Sequence, residues 1–499
     1  MREMNTSPVR YRAFIGGQFV DAEKGEVFES EDPFSGEKWA LVPRCRAADA
    51  DRAVEAAHKA FTGGPWPALT ASARGQLLCR LADLILENAQ ALADIEVRDN
   101  GKLMAEMAVQ VRYASQWFRY FGGLADKIEG SVIPIDKPDM LNFTRREPLG
   151  VIAAIVPWNS PLLLMSWKIA PALAAGNTVV VKPSEYTSAS ALEFARLVEK
   201  AGFPPGVFNV VTGFGTEVGE PLALHPKVAK IAFTGGDASG RRVYRAAASQ
   251  LKPVVLELGG KSPNIVFDDC VMDDAVKGAV SGIFAASGQT CIAGSRLLVQ
   301  DTIHTEYLDR LVRFAGTAKL GDPRLATTQV GPITTHPQHK KVLDYIAIGR
   351  EEGAELVLGG KPAEVEGSKS GLFVQPSIFS GVNNAMRIAQ EEIFGPVLSV
   401  IPFHDEEEAV AIANDTLYGL AAGVWTTSIR RAIAMSNALR AGTVWVNTYR
   451  AVSYMSPFGG FKMSGFGREN GQHAIDEYLQ TKSVWINTAL EVPNPFTLR

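Results

Sequence analysis

The stretch GQTCIAGS (288–295) surrounds one cysteine, Cys291, with glycine, alanine, serine and threonine. A structural cysteine ordinarily sits among large apolar neighbours and behaves as an inert small hydrophobe. Small neighbours such as Ala293 and Gly294 would let another molecule approach the sulfur, which raises the question of what approaches it and what would make the thiol reactive. Cys45, Cys79 and Cys270 lack such surroundings and read as inert. None of the four forms a CxxC pair, which argues against a zinc site or a disulfide framework, and no metal is expected.

Two glycine runs suggest a phosphate-bearing ligand. VVTGFGTEVGE (210–220) contains GxGxxxG, and IAFTGGDASG (231–240) reads as strand, GGxxxG, helix. Glycines at a strand-to-helix turn let backbone N–H groups approach a phosphate. Neither run has the GxGxxG spacing, and a plain tight turn is the alternative for each. VVVKPSE (179–185) places Lys182 and Glu185 just past a strand end. A carboxylate there can accept both hydroxyls of an adenosine ribose and repel a 2′-phosphate; a solvated charge pair is the alternative.

These residues need a scaffold. The segments 47–61, 73–102 and 106–128 carry apolar residues at helical spacing, separated by the breaker GPWPAL, and the last is expected to end near Gly122 and Gly123. From residue 150 the rhythm changes to short, continuously apolar runs with helical stretches in the longer gaps, the pattern of βαβ units in a parallel sheet covered on both faces. The architecture expected is a doubly wound nucleotide-binding α/β domain, with a second α/β series after residue 260. QTKSVWIN (480–487) reads as a late strand without a local partner.

With 499 residues there is room for two or three domains. A net charge of −4, with both signs mixed along the chain, gives no general case for nucleic acid or an anionic membrane. No segment has the roughly 18 uncharged apolar residues of a membrane helix, and the N-terminus lacks the apolar core of a signal peptide. The few cysteines suit a reducing compartment, read here as the cytoplasm.

Seven strings then stand in one order: PWNSP (157–161), KPSE (182–185), FTGG (233–236), LELGGKSP (256–263), GQTCIAGSR (288–296), EEIFGPV (391–397) and PFGGFKMSGFGRENG (457–471). Together they resemble the aldehyde dehydrogenase superfamily over about residues 12–488. The resemblance implies a modified Rossmann cofactor-binding domain (1–128 and 148–257), an α/β catalytic domain (258–475) and a small β oligomerisation arm (129–147 and 476–499). The arm would supply the missing partner of QTKSVWIN and make the protein a homo-oligomer, dimer or tetramer.

By the same resemblance, Cys291 attacks an aldehyde carbon, Asn159 donates to the oxyanion, and Glu257 is the general base. A glutamate at 257 favours hydrolysis of the thioester, since relatives that acylate coenzyme A tend to lack it. Trp158, Lys182, Glu185, Gly215, Gly235, Gly236, Glu392 and Phe394 match cofactor positions. The implied cofactor is NAD, with NADP left open by Lys182. Gly236 departs from the serine of many relatives and lacks its hydroxyl. Lys168 and Glu469 match a pair proposed as a charge relay in some relatives, with an ordinary ion pair as the alternative.

Ser160, Trp167, Ala285, Thr290, Ile292 and Val452 match positions lining the substrate tunnel. Ser160, Ala285 and Val452 replace aromatics found in relatives that prefer small aldehydes, so a bulky, cyclic or aromatic aldehyde is expected. Arg450 reads as solvent-facing, with pairing to the carboxylate of a semialdehyde as the alternative. A coenzyme-A-acylating enzyme and a recruited non-catalytic protein are the other readings.

Overall fold

The computed structural model describes residues 7–492 and 494–497. Residues 1–6 of the expected cofactor-binding domain, and 493, 498 and 499 of the expected arm, lie outside the described residues. Two large sheets organise the chain. The first has eight strands in the order Gly465–Phe466, Val254–Glu257, Val228–Thr234, Val151–Ile155, Thr178–Lys182, Phe208–Val210, Ala13–Ile15, Gln18–Val20. Its five central strands are parallel. VIAAI and TVVVK are buried along their whole length, as continuous apolar strands covered on both faces must be.

The second sheet has seven strands and centres on the parallel run Val397–Phe403, Arg296–Gln300, Pro263–Val266, Ala421–Trp425. The two series do not separate completely. Gly465–Phe466 returns to the first sheet and pairs antiparallel with the end of Val254–Glu257. Between the sheets and the outer helices lies Pro161–Ala174, every residue of which is buried; a helix apolar all round has no solvent face to offer.

Two local expectations change. The segment 73–102 breaks into Ala71–Glu87 and Ala89–Asn100, because Asn88 leaves helical geometry and its Nδ2 donates to the Leu84 carbonyl at 2.7 Å. The next helix runs Met104–Leu124 and ends one residue past Gly123, near its glycines as expected. Gly122 also faces Gly75 of the neighbouring helix, where a Cβ would come within 2.9 Å of the Gly75 carbonyl oxygen, so this pair permits close helix contact. GPWPAL forms one helical turn, Pro65–Ala68, with buried Trp66 donating to the Gly176 carbonyl at 2.9 Å.

The late strand finds its partner within the chain. Leu479–Asn487 pairs antiparallel with Met140–Pro148 along its full nine residues, and Val132–Ile133 adds a third strand. Buried Asn177 clasps the root of this ribbon. Its Oδ1 accepts from the Gly150 N–H at 2.9 Å, and its Nδ2 donates to the Tyr478 carbonyl at 2.9 Å. No helix among the described residues is long and apolar enough to cross a membrane.

Candidate active site

Cys291 follows a turn in which Ala286 and Ser287 take left-handed backbone angles of +53° and +52°. Bulky L-residues rarely sit there, and such strain persists only where surroundings impose it. The next residue, Gly288, has φ +71°, and a Cβ on it would stand 2.1 Å from the Gly395 carbonyl oxygen. The GQTC and IFGPV strings therefore meet backbone to backbone. The small residues after the cysteine do different work from that expected. Ala293 is buried, and a Cβ on Gly294 would lie 2.9 Å from the Tyr449 ring. Gly294 makes room for Tyr449, whose hydroxyl donates to the Ile292 carbonyl at 3.0 Å, rather than for a ligand.

The half-buried Cys291 thiol is pushed up to about 12, first by burial, then by Glu257 and Glu392. Its own backbone N–H and the Lys102 ammonium act in the opposite direction. At neutral pH it holds its proton until a base takes it. The thiols of Cys45 and Cys270 are also raised by burial, to about 11.

Glu257 ends its strand beside Gly465, a residue at φ +119° whose Cβ would fall 1.9 Å from the Leu256 carbonyl oxygen. That close approach explains a glycine in the SGFG string. Glu257 is buried, and neither carboxylate oxygen has a hydrogen-bond partner. Burial and the Glu469 carboxylate hold it well above the ordinary carboxylate range, against the pull of Lys168 and Arg468. Lys168 is fully buried, bonded to Glu469 and donating to Thr234 Oγ1 at 2.6 Å. An unpartnered carboxylate whose proton affinity is raised by burial, and whose charge acts on the thiol, has the properties of a general base in its ionised form. Asn159 lies on the turn before Pro161–Ala174, where its Nδ2 donates to the Gln289 carbonyl at 3.3 Å and so reaches the cysteine loop.

All eight residues expected on the cofactor side line one cavity of ≈ 620 Å³, together with Asn159 and Cys291. Lys182 and Glu185 pair at 3.1 Å, and Trp158 meets the Phe394 ring edge-on at 5.2 Å. Phe394 is itself left-handed, at φ +60°. The helix Asp237–Ser249 begins at Gly236, which offers no capping side chain, and a Cβ there would meet nothing within 4 Å. No side chain caps its first N–H groups, and Gly235, Gly236 and Ser239 at this helix start line the cavity, the arrangement that receives a phosphate. Glu392 Oε1 accepts from the Gly260 N–H at 3.0 Å, and burial raises this carboxyl to about 7.

The residues expected on the substrate side do not line that cavity. Trp167 stacks on Trp117 at 5.7 Å and meets Phe458 at 5.1 Å. Val452 accepts from the Tyr113 hydroxyl at 3.2 Å through its carbonyl, and with Ile292 packs into the core cluster that Cys291 touches. Ser160 is buried and Ala285 half-buried, and Thr290 closes the turn onto Ala293. Arg450 does not point to solvent. Its side chain is 21% exposed and turns toward Glu106.

Several residues of the site escaped the sequence reading. Gln338 holds the Ile393 and Phe394 carbonyls at 2.8 and 3.0 Å. Arg242 lines the cavity with Ser239, Val243 and Ala246, a spacing that marks one helix face once the helix is known. Lys102 and Glu106 had no signal of their own.

The aldehyde dehydrogenase family model matches residues 19–484. The chain belongs to the aldehyde dehydrogenase family. It is 48% identical over 493 residues to a (Z)-2-((N-methylformamido)methylene)-5-hydroxybutyrolactone dehydrogenase of Acinetobacter baylyi, covering 98% of this chain and 100% of that one. Among solved structures, betaine aldehyde dehydrogenase of Staphylococcus aureus in complex with NAD+ superposes with a TM-score of 0.96 at 39% identity, covering 98% of this chain and 97% of that one. An NAD+ complex of a Bacillus cereus aldehyde dehydrogenase gives 0.94 at 44% identity, covering 96% and 97%.

Proposed function

We propose that this aldehyde dehydrogenase oxidises an aldehyde to its carboxylic acid through covalent attachment to Cys291, with NAD as hydride acceptor and water as final nucleophile. The observation that carries the reading is the convergence of Cys291 and Asn159 on one wall of the cavity with the unpartnered Glu257 carboxylate acting on the same thiol. Glu257 takes the thiol proton and the sulfur attacks the carbonyl carbon. Asn159 turns its amide from the Gln289 carbonyl to the oxyanion; losing one such donor costs about 2.7–4 kcal/mol. The bound dinucleotide supplies the hydride acceptor. Glu257 loses that proton to solvent and then draws one from water, whose oxygen displaces the sulfur from the thioester; the proton passes to the departing sulfur and restores the thiol. The balance is aldehyde, NAD+ and water to acid, NADH and a proton.

The residues fit that dinucleotide. The open N-terminus at Gly236 suits a pyrophosphate, Glu185 and Glu392 suit ribose hydroxyls, and Trp158 with Phe394 suits the nicotinamide end. The NAD+ held by the solved neighbours supports NAD over NADP. The small side chains of Ser160, Ala285 and Val452 support a bulky or cyclic substrate, as does the ring in the name of the Acinetobacter relative. The ribbon supports a dimer or tetramer, and four unpaired cysteines support a cytoplasmic site.

The test is Glu257→Gln. Steady turnover should fall by two or more orders of magnitude, about what a general base contributes. An acyl adduct should accumulate on Cys291, visible by mass spectrometry after one turnover. Coenzyme A should not accelerate the wild type. Full turnover without an adduct, or dependence on coenzyme A, would overturn the hydrolytic mechanism.

A further inference from the structure

Four polar side chains that do not line the dinucleotide cavity converge near Cys291: Lys102, Glu106, Ser160 and Arg450. Lys102 is 4% exposed, and its ammonium donates to Ser160 Oγ at 3.0 Å. An ammonium has three donors, and among the described residues no carboxylate lies within 4 Å of this one. A buried cation with a single neutral acceptor is costly unless an anion completes it.

Arg450 takes a left-handed backbone conformation, φ +66°, and its side chain is largely covered. Its guanidinium reaches the Ser281 carbonyl at 3.5 Å and Glu106 at 4.0 Å, both at the outer limit of contact. Glu106 bonds neither cation closely: its Oε1 accepts from the Ala286 N–H at 3.1 Å, fixing the strained turn before Cys291, and its Oε2 has no hydrogen-bond partner, so its single charge offsets only one of the two cations, through space. Glu96, the other carboxylate acting on Lys102, accepts from the Leu162 N–H and Ser190. Burial raises Glu96 to about 7, so its charge is only partly present at neutral pH. The cluster is therefore left with excess positive charge and spare donors. It adjoins an apolar wall, where Tyr113, on the same helix as Glu106, packs against Trp117 and Tyr454.

We propose that Lys102 and Arg450 form a carboxylate subsite beside Cys291, so that the preferred substrate is an aldehyde carrying a carboxylate a few carbons from its carbonyl. The inference rests on the dehydrogenase reading of Cys291. Ser160 is small because an aromatic there would separate Lys102 from the substrate. Arg450 supplies the planar fork and Lys102 the point charge.

The test compares 4-oxobutanoate with its methyl ester, by NADH formation. Wild type should favour the acid by about tenfold or more in kcat/KM, the range expected of a charge-assisted hydrogen bond. Arg450→Met and Lys102→Met should each cut that ratio about tenfold, mainly through KM. A wild-type ratio near one, or equal losses on acid and ester in both variants, would overturn the subsite; the second result would give these residues a role in holding the cysteine loop alone. Succinate provides a readout independent of turnover. It should slow alkylation of Cys291 by iodoacetamide in wild type and much less in Arg450→Met, and dimethyl succinate should not. If neither aldehyde is oxidised the dehydrogenase reading fails, while absence of succinate protection overturns the subsite itself.

Discussion

On the dinucleotide side of Cys291 much of the wall is backbone. Gly215, Gly235 and Gly236 stand at strand-to-helix turns, and the uncapped start of Asp237–Ser249 adjoins the cavity. On the other side the wall is side chain. Lys102, Ser160, Tyr113 and Arg450 come from three distant parts of the chain and meet only through tertiary packing. A backbone-built surface demands particular residues at fixed spacing, because a Cβ in the wrong place collides or an N–H is lost. A side-chain surface can change its chemistry one residue at a time. The first kind suits what every turnover needs, the second what distinguishes one aldehyde from another.

The comparison breaks most sharply at the sulfur both sides share. Cys291→Ser should lower turnover by roughly four to six orders of magnitude, the scale of losing a nucleophile. The NAD dissociation constant, read by tryptophan fluorescence, should move by less than about tenfold, under 1.4 kcal/mol. A comparable loss of NAD binding would mean the two sides are not separable.

Ala285→Phe probes the substrate side alone. The ratio of kcat/KM for a cyclic aldehyde to that for acetaldehyde should fall by about 10–100-fold, or roughly 1.4–2.8 kcal/mol of differential transition-state binding. Equal losses on both would show damage to the Ala285–Gly288 turn instead of a size filter.

Glu185→Gln probes the dinucleotide side. Removing the charge that opposes a 2′-phosphate, while leaving Lys182 in place, should raise the NADP to NAD efficiency ratio by about tenfold. A wild type that already prefers NADP would refute the assignment of Glu185.

The smallest effect expected lies in the pH profile. Glu257 works ionised, and its proton affinity is raised, so hydrolysis should fall as pH drops through a value well above the ordinary carboxylate range. Glu469→Gln removes a neighbouring negative charge and leaves Lys168 without its partner. Both changes lower the Glu257 pKa, so the acid limb of the deacylation rate should move to lower pH, by about one unit. A limb that stays put would show that Glu469 does not act on Glu257 through its charge.

The same contrast explains what could be read from the sequence. Cys291, Glu257, Glu392 and Phe394 lie inside short strings with glycines that the packing demands, as Gly288 and Gly259 show by the collisions a Cβ would cause. Asn159, Trp158, Lys182 and Glu185 lie in PWNSP and KPSE, which have no glycine and are legible through the resemblance. The strand runs from residue 150 announced their parallel sheet because burial on both faces leaves no polar alternation. Lys102 follows the end of a helix and looks like any solvated lysine until Ser160 is placed beside it. Arg450 reads as solvent-facing until its side chain is found 21% exposed beside Glu106. Gly294 was misread because a glycine records that something comes close, without saying whether it is a ligand or a tyrosine.

Asn177 makes the ribbon mechanically continuous with the reaction centre. Met140–Pro148 leads through Gly150 into Val151–Ile155 and on to Asn159, while Leu479–Asn487 leaves the segment that carries Glu469. A single buried amide rivets both paths at Gly150 and Tyr478. The ribbon's two long strands thus run back through that amide into the segments that carry Asn159 and Glu469. Asn177→Ala would cut the rivet without touching either end.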